Sequence, residues 1–154
     1  MRILNKIIKK FIVGVILITL FVVSIITVLQ VSEKNYKIIK DPDELMAVAE
    51  ADNLKDIIID LREQADYELS HIGSSINIPY TDGKELDEYL MTKNSKNKYI
   101  YLLCYSGTRS AKTFNYLSEL GYKNLFYVTF GYDEFVDTIG EAFIPDSGPC
   151  GCLN

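Results

Sequence analysis

The sequence predicts an α/β protein, a mostly parallel sheet flanked by helices, preceded by one N-terminal transmembrane helix. Three observations lead there. Short apolar runs at residues 57–59, 99–103 and 125–128 alternate with segments of helical character, and strands separated by helices imply a mostly parallel sheet. The run at 99–103 ends in Cys104 and a Gly-containing turn that opens a helix, the place in open α/β sheets where ligands bind. The first 32 residues form an apolar block with charge confined to one end. With 154 residues and 48% apolar content, the chain supplies one globular core and not two.

Taken in order, Arg2, Lys6, Lys9 and Lys10 carry four positive charges with no acid among them, and no charged residue follows until Glu33. Residues 1–10 read as a basic cytoplasmic flank. Phe11 to Val31 reads as an uncleaved signal anchor, since ~20 apolar residues at 1.5 Å each span a ~30 Å hydrocarbon core. A cleaved signal peptide is the alternative, but Val28-Leu29-Gln30-Val31-Ser32 offers no Ala-x-Ala-like site. Basic residues stay on the cytoplasmic side, which would make this a single-pass protein of the cell membrane with its domain on the extracytoplasmic side. Without those four cations, 12 basic residues face 21 acidic ones, a formal balance of −9. Such a domain is a poor partner for phosphate backbones, and no nucleic-acid partner is expected.

Tyr36 to Ile39 can form a short strand. Asp41-Pro42-Asp43-Glu44 then opens a helix running through Glu50, with a cap, a proline in the first turn and acids at its positive end. Ile57 to Leu61 is the next strand, Glu63 to Leu69 a short helix, Ser75 to Ile78 a strand and Lys84 to Met91 a helix. The polar break Lys93-Asn94-Ser95-Lys96-Asn97-Lys98 reads as a solvated loop. Tyr99 to Leu103 is a strand, Ser110 to Leu120 a helix stopped by Gly121, and Leu125 to Val128 a final strand.

The hexapeptide Cys104-Tyr105-Ser106-Gly107-Thr108-Arg109 carries the chemistry. Loop N–H groups, the positive end of the following helix and the Arg109 guanidinium all favour a thiolate over a thiol. Core packing alone would account for a buried cysteine, but it does not call for Ser-Gly-Thr-Arg immediately afterwards.

With this loop the sequence resembles a single-domain rhodanese, the sulfurtransferase family. Three further pieces fall in the family's order. Asp60-Leu61-Arg62 is similar to its Asp-Val-Arg strand end. The segment from Tyr67 to Pro79, with His71-Ile72-Gly73 and Asn77-Ile78-Pro79, is similar to its turn-and-strand segment. Phe130-Gly131-Tyr132-Asp133-Glu134-Phe135 is similar to its last motif, with Phe130 in place of a glycine and Phe135 in place of a tryptophan. The resemblance implies a rhodanese-like parallel sheet flanked by helices over residues 36–145, followed by a flexible Cys-containing tail at 146–154.

The resemblance also implies sulfane-sulfur transfer. Cys104 would be the catalytic nucleophile, taking sulfur from thiosulfate, a persulfide or a polysulfide as Cys–S–SH and passing it to a thiol, to cyanide or to a protein acceptor. Tyr105, Ser106, Gly107, Thr108, Arg109 and Ser110 would form the substrate-binding loop, with no metal and no organic cofactor. Arg109 reads either as the substrate-anion contact or as one half of a salt bridge to an acid such as Asp60. Asp60 and Arg62, at another strand end, either line the loop's mouth or pair structurally. His71, the one histidine, is expected to hydrogen-bond backbone rather than act as a base. Tyr105 stands where many thiosulfate-using relatives carry a basic residue, which favours persulfide or polysulfide over thiosulfate.

Cys150 and Cys152 leave several readings open: a local disulfide, resolving thiols for sulfur from Cys104, half of a metal site, or an exposed tail without a role. Two other function classes compete with sulfur transfer. One is a non-catalytic rhodanese-like module for persulfide sensing or protein interaction. The other is a phosphatase or arsenate reductase, disfavoured because four residues, not five, separate Cys104 from Arg109.

Overall fold

The structure, a computed structural model, describes residues 2–30, 35–51 and 53–149. It divides into two compact units, residues 1–33 and 34–154.

The first unit holds one helix, α1 (Arg2–Gln30). Among the described residues no helix is long and apolar enough to cross a membrane. The expected transmembrane anchor at 11–31, the membrane as a partner and the extracytoplasmic placement in the cell membrane are corrected accordingly. The last residue of that anchor, Val31, lies outside the described residues.

The second unit is built on five parallel strands, β1 (Asn35–Ile39), β2 (Asp56–Asp60), β3 (Ser75–Asn77), β4 (Tyr99–Cys104) and β5 (Asn124–Gly131), in the order β1-β5-β4-β2-β3. Five helices connect and follow them: α2 (Pro42–Glu50), α3 (Gln64–Leu69), α4 (Lys84–Thr92), α5 (Thr108–Glu119) and α6 (Tyr132–Ile139). The start of α2 is as its sequence dictates, with the Asp41 carboxylate accepting the Asp43 N–H at 3.1 Å and Pro42 in the first turn.

Alternation along β4 explains both faces of the sheet. Ile100, Leu102 and Cys104 point into one core with Leu86 and Leu90 of α4 and Leu117 of α5. Tyr101 and Leu103 point into the other with Leu45 of α2 and Phe135 of α6. Strand β4 lies between β2 and β5, so its carboxyl end is flanked by two further strand ends.

Phe135 is fully buried and packs edge-on against Phe143 at 4.9 Å between ring centroids, filling apolar space as its sequence position implied. Helix α6 itself was not among the elements expected from sequence, and β5 runs three residues past Val128 to Gly131.

Candidate active site

Strand β4 delivers Cys104 to the carboxyl edge of the sheet. Cys104 is a free, fully buried cysteine paired in register with Gly131 of β5, across an irregularity that follows Leu102. The loop that follows fits because two positions have no side chain. Gly107 has φ 75°, and a Cβ there would lie 2.4 Å from the Thr129 carbonyl oxygen. A Cβ on Gly131 would lie 1.9 Å from the Tyr105 carbonyl oxygen. The loop therefore rests directly on the β5 backbone. Gly131→Ala is expected to destabilise the domain by roughly 1–3 kcal/mol, because the loop must move off β5 to admit the methyl group. Urea unfolding checks this, and an unchanged midpoint would place the loop elsewhere.

Helix α5 begins at Thr108, two residues before the expected Ser110, because the left-handed Gly107 serves as its N-cap. Thr108, Arg109 and Ser110 thus belong to the first helical turn. The Ala111 N–H reaches back to the Gly107 carbonyl at 2.9 Å, so the N–H groups of Thr108, Arg109 and Ser110 have no helical carbonyl one turn behind them. That end of α5 is suited to an anion. The buried Ser110 Oγ has no hydrogen-bond partner. The hydroxyls of Ser106 and Thr108 lie 3.4 Å apart on the exposed side.

Arg109 pairs with Glu63 at 3.1 Å, and its guanidinium lies 5.0 Å from the centre of the Tyr105 ring. The alternative of a bridge from Arg109 to Asp60 is corrected, since Asp60 has another partner. Its carboxylate, fully buried, receives Arg62 Nη2 at 2.7 Å, Nε at 3.0 Å and the Arg62 N–H at 2.9 Å. Arg62 also donates to the Ser70 carbonyl at 2.8 Å, and its guanidinium stacks 3.7 Å over the Tyr132 ring. Asn77 Nδ2 donates to the Asp60 and Arg62 carbonyls, each at 3.0 Å. The pair thereby ties β2 to α3, β3 and α6.

Tyr105 is held from below. Its hydroxyl donates to the Asp66 carboxylate and accepts the Glu63 N–H at 3.0 Å. Partial burial, then the hydrogen bond to Asp66, pushes its pKa above the usual tyrosine value, so it remains a neutral donor. Beside it opens a cavity of about 390 Å³ whose walls include Arg62, Asp66, Tyr105, Tyr132, Asp133 and Asp137. Tyr132 is likewise held above the ordinary value, chiefly by burial. Arg62, the cation of this cavity, is already committed to Asp60. Among the described residues Asp133 and Asp137 make no ion pair. Three carboxylates, Asp66, Asp133 and Asp137, therefore line this cavity beside Tyr105 against one cation.

His71 is bound to its own segment and to Asp146. Its Nδ1 sits 2.8 Å from the Tyr67 carbonyl, its ring stacks on Tyr67, and its backbone exchanges two 2.9 Å hydrogen bonds with Asp146. The Gly148 N–H continues that attachment by donating to the Glu68 carbonyl at 2.8 Å. Cys150 and Cys152 lie outside the described residues, and among the described residues no group of side chains is arranged to hold a metal.

A family model for the rhodanese-like domain matches residues 41–138, from the cap of α2 to α6. The chain belongs to the rhodanese-like domain family. A rhodanese-related protein from Thermoplasma volcanium superposes on this rhodanese-like domain with a TM-score of 0.52 at 27% identity, covering 67% of this chain and 93% of that one. A yeast protein from Saccharomyces cerevisiae shares the fold with a TM-score of 0.59 at 20% identity, covering 73% of this chain and 99% of that one. A tRNA uridine(34) hydroxylase of Hamiltonella defensa is 31% identical over 111 residues, 71% of this chain and 28% of that protein. The chain spans between 27% and 38% of the length of such relatives.

Sequence reasoning did not find Glu63 and Asp66 as the supports of the loop, nor Asp133 and Asp137 as walls of the cavity beside Tyr105. Glu63 and Asp66 stand three apart at the start of a short helix, and Asp133 and Asp137 four apart on α6, so each pair shares a face. Nothing in the spacing told which face meets Tyr105.

Proposed function

We propose that this rhodanese-like domain transfers sulfane sulfur through a persulfide on Cys104. The observation that supports it most is the placement of a free cysteine at the end of β4, under a loop clamped by Gly107 and Gly131 at the start of α5. In the first step the Cys104 thiolate attacks the outer sulfur of R–S–SH. The donor S–S bond breaks, its electron pair leaves on RS⁻, and Cys104–S–SH forms. An acceptor thiolate then attacks that outer sulfur, and Cys104 departs as thiolate. The two displacements balance without an external oxidant. The helical N–H groups of α5 are suited to carry the negative charge of both the thiolate and the persulfide.

Taken as the entrance for the donor, the acidic, aromatic cavity beside Tyr105 favours neutral or cationic sulfur carriers over anionic ones. Discharge of the persulfide by cysteamine is expected to exceed that by 2-mercaptoethanol, and mercaptoacetate to be slowest, each rate being divided by that of the same thiol with a free alkyl persulfide. Asp133→Asn with Asp137→Asn should flatten the series. Equal normalised rates in the unmodified protein would dismiss the role of the carboxylates.

A second reading rests on the name of the relatives, tRNA uridine(34) hydroxylase, and sets tRNA beside small thiols as a partner. Charge balance alone had argued against nucleic acid. Incubation with tRNA followed by mass analysis of uridine 34 separates the two readings: a modified uridine that depends on Cys104 supports the second, and a transferable sulfur with unmodified tRNA supports the first.

A further inference from the structure

The sheet has a second cavity at its opposite end. About 520 Å³ in volume, it opens at the amino ends of β2 and β4, between α2 and α4. Its walls are apolar at Val48, Ile57, Ile76 and Tyr89, and its polar lining comes from Asn53, Asp56, Ser74 and the segment 93–98. That segment is not the solvated loop its composition suggests. Lys93 ends α4, Asn94 takes φ 51°, and a 3-10 turn, Ser95–Asn97, follows, closed by the Lys98 N–H donating to the Ser95 carbonyl at 3.0 Å. The turn buries Ser95 completely while Lys93 and Lys98 remain on the cavity's lining.

Two features mark this place. The Ser95 Oγ is buried without a hydrogen-bond partner, which is unfavourable by about 1–3 kcal/mol. Among the described residues neither Lys93 nor Lys98 makes an ion pair, although the chain has more acids than bases. Lys93 lies over the Tyr89 ring at 5.9 Å, and among the described residues Asp56 is the one acid on the lining. A water could satisfy the serine. The volume, however, is far beyond the ~30 Å³ share of one water and falls in the ~300–1,000 Å³ range of small-molecule sites.

We propose that this cavity binds an organic anion, with a phosphate, sulfonate or carboxylate head between Lys93 and Lys98 and an aromatic or aliphatic body against Ile57, Ile76 and Tyr89. The Ser95 hydroxyl donates to the head. The site lies at the amino ends of the strands, whereas Cys104 ends β4, so it is independent of the sulfur chemistry.

The test uses the full chain titrated with 8-anilinonaphthalene-1-sulfonate, an aromatic sulfonate that fluoresces when its body leaves water. A saturable component is expected, weakened about tenfold or more in Lys93→Gln with Lys98→Gln, which removes two charge-assisted contacts. Dye held by exposed apolar residues of α1, such as Phe11 and Phe21, does not respond to those lysines and is separated in this way. Ser95→Ala should weaken binding severalfold while leaving the unfolding midpoint unchanged or raised. The lysine variant should load sulfur on Cys104 as the unmodified protein does. Dye binding that is indifferent to the two lysines, or Ser95→Ala that lowers the midpoint and leaves binding unchanged, would overturn the proposal.

Discussion

Cys104→Ser is expected to abolish the uptake of sulfur by this chain. After incubation with polysulfide, the intact mass of the unmodified protein should rise by one sulfur atom, and a reductant, cyanide or a thiol should remove it. The serine variant should show no gain. A hydroxyl at the same place is far less nucleophilic toward sulfur, and among the described residues no second cysteine is positioned at the end of β4. The substitution changes one buried atom in a core shared with Ile100, Leu102 and Leu117, so the fold should persist and the loss can be assigned to chemistry. Loading by polysulfide but not by thiosulfate would agree with Tyr105 occupying the position where a cation is otherwise found. A sulfur gain retained in the serine variant would move the chemistry to another cysteine. No gain in either protein would favour a non-catalytic binding module.

The parts of this fold that could be read from sequence are those fixed by local rules. The short apolar run at 99–103 predicted β4, and Asp41-Pro42 predicted the start of α2, because strand and cap are signalled by residues that adjoin one another. The loop at Cys104 was readable as a motif, but its support was not. Tyr105 meets Asp66 and Glu63, about forty positions earlier, because β2 and β4 are neighbours in the sheet, and no spacing in the chain reports that adjacency. The same reason hid the partner of Arg109. Asp60 is two residues from Arg62, close enough to close a ring on itself, and this left Glu63 for Arg109.

The lysine run at 93–98 shows a different limit. Its composition is that of a solvated loop, yet three backbone features, the end of α4, the left-handed Asn94 and the 3-10 turn, draw Ser95 inward and leave the lysines at a cavity's rim. Composition registers how polar a segment is and is blind to which single residue of it becomes buried. The length of α1 was likewise legible as a long apolar helix, while its role was not: among the described residues no helix is long and apolar enough to cross a membrane.

Arg62→Met is expected to destabilise the domain by about 3–5 kcal/mol, the usual consequence of leaving one member of a buried ion pair without its partner. The methionine can follow the arginine's aliphatic path over Tyr132, so the packing is largely kept and the loss falls on Asp60. That carboxylate, fully buried, would keep the N–H of residue 62 and lose both guanidinium contacts. The Ser70 carbonyl would lose its donor as well. Urea unfolding followed by tyrosine fluorescence reads the change, since the chain has 11 tyrosines and no tryptophan. Asp60→Leu combined with Arg62→Met should recover most of the stability, because the cost belongs to the stranded charge and not to the missing attraction. The double variant then separates two roles for Arg62. If it folds and still loads sulfur on Cys104, the pair is a clamp that ties β2 to α3 and α6 beneath the mouth. If it folds as firmly and loads sulfur slowly, with the rate restored by raising the donor concentration, the guanidinium on the cavity wall binds the donor itself.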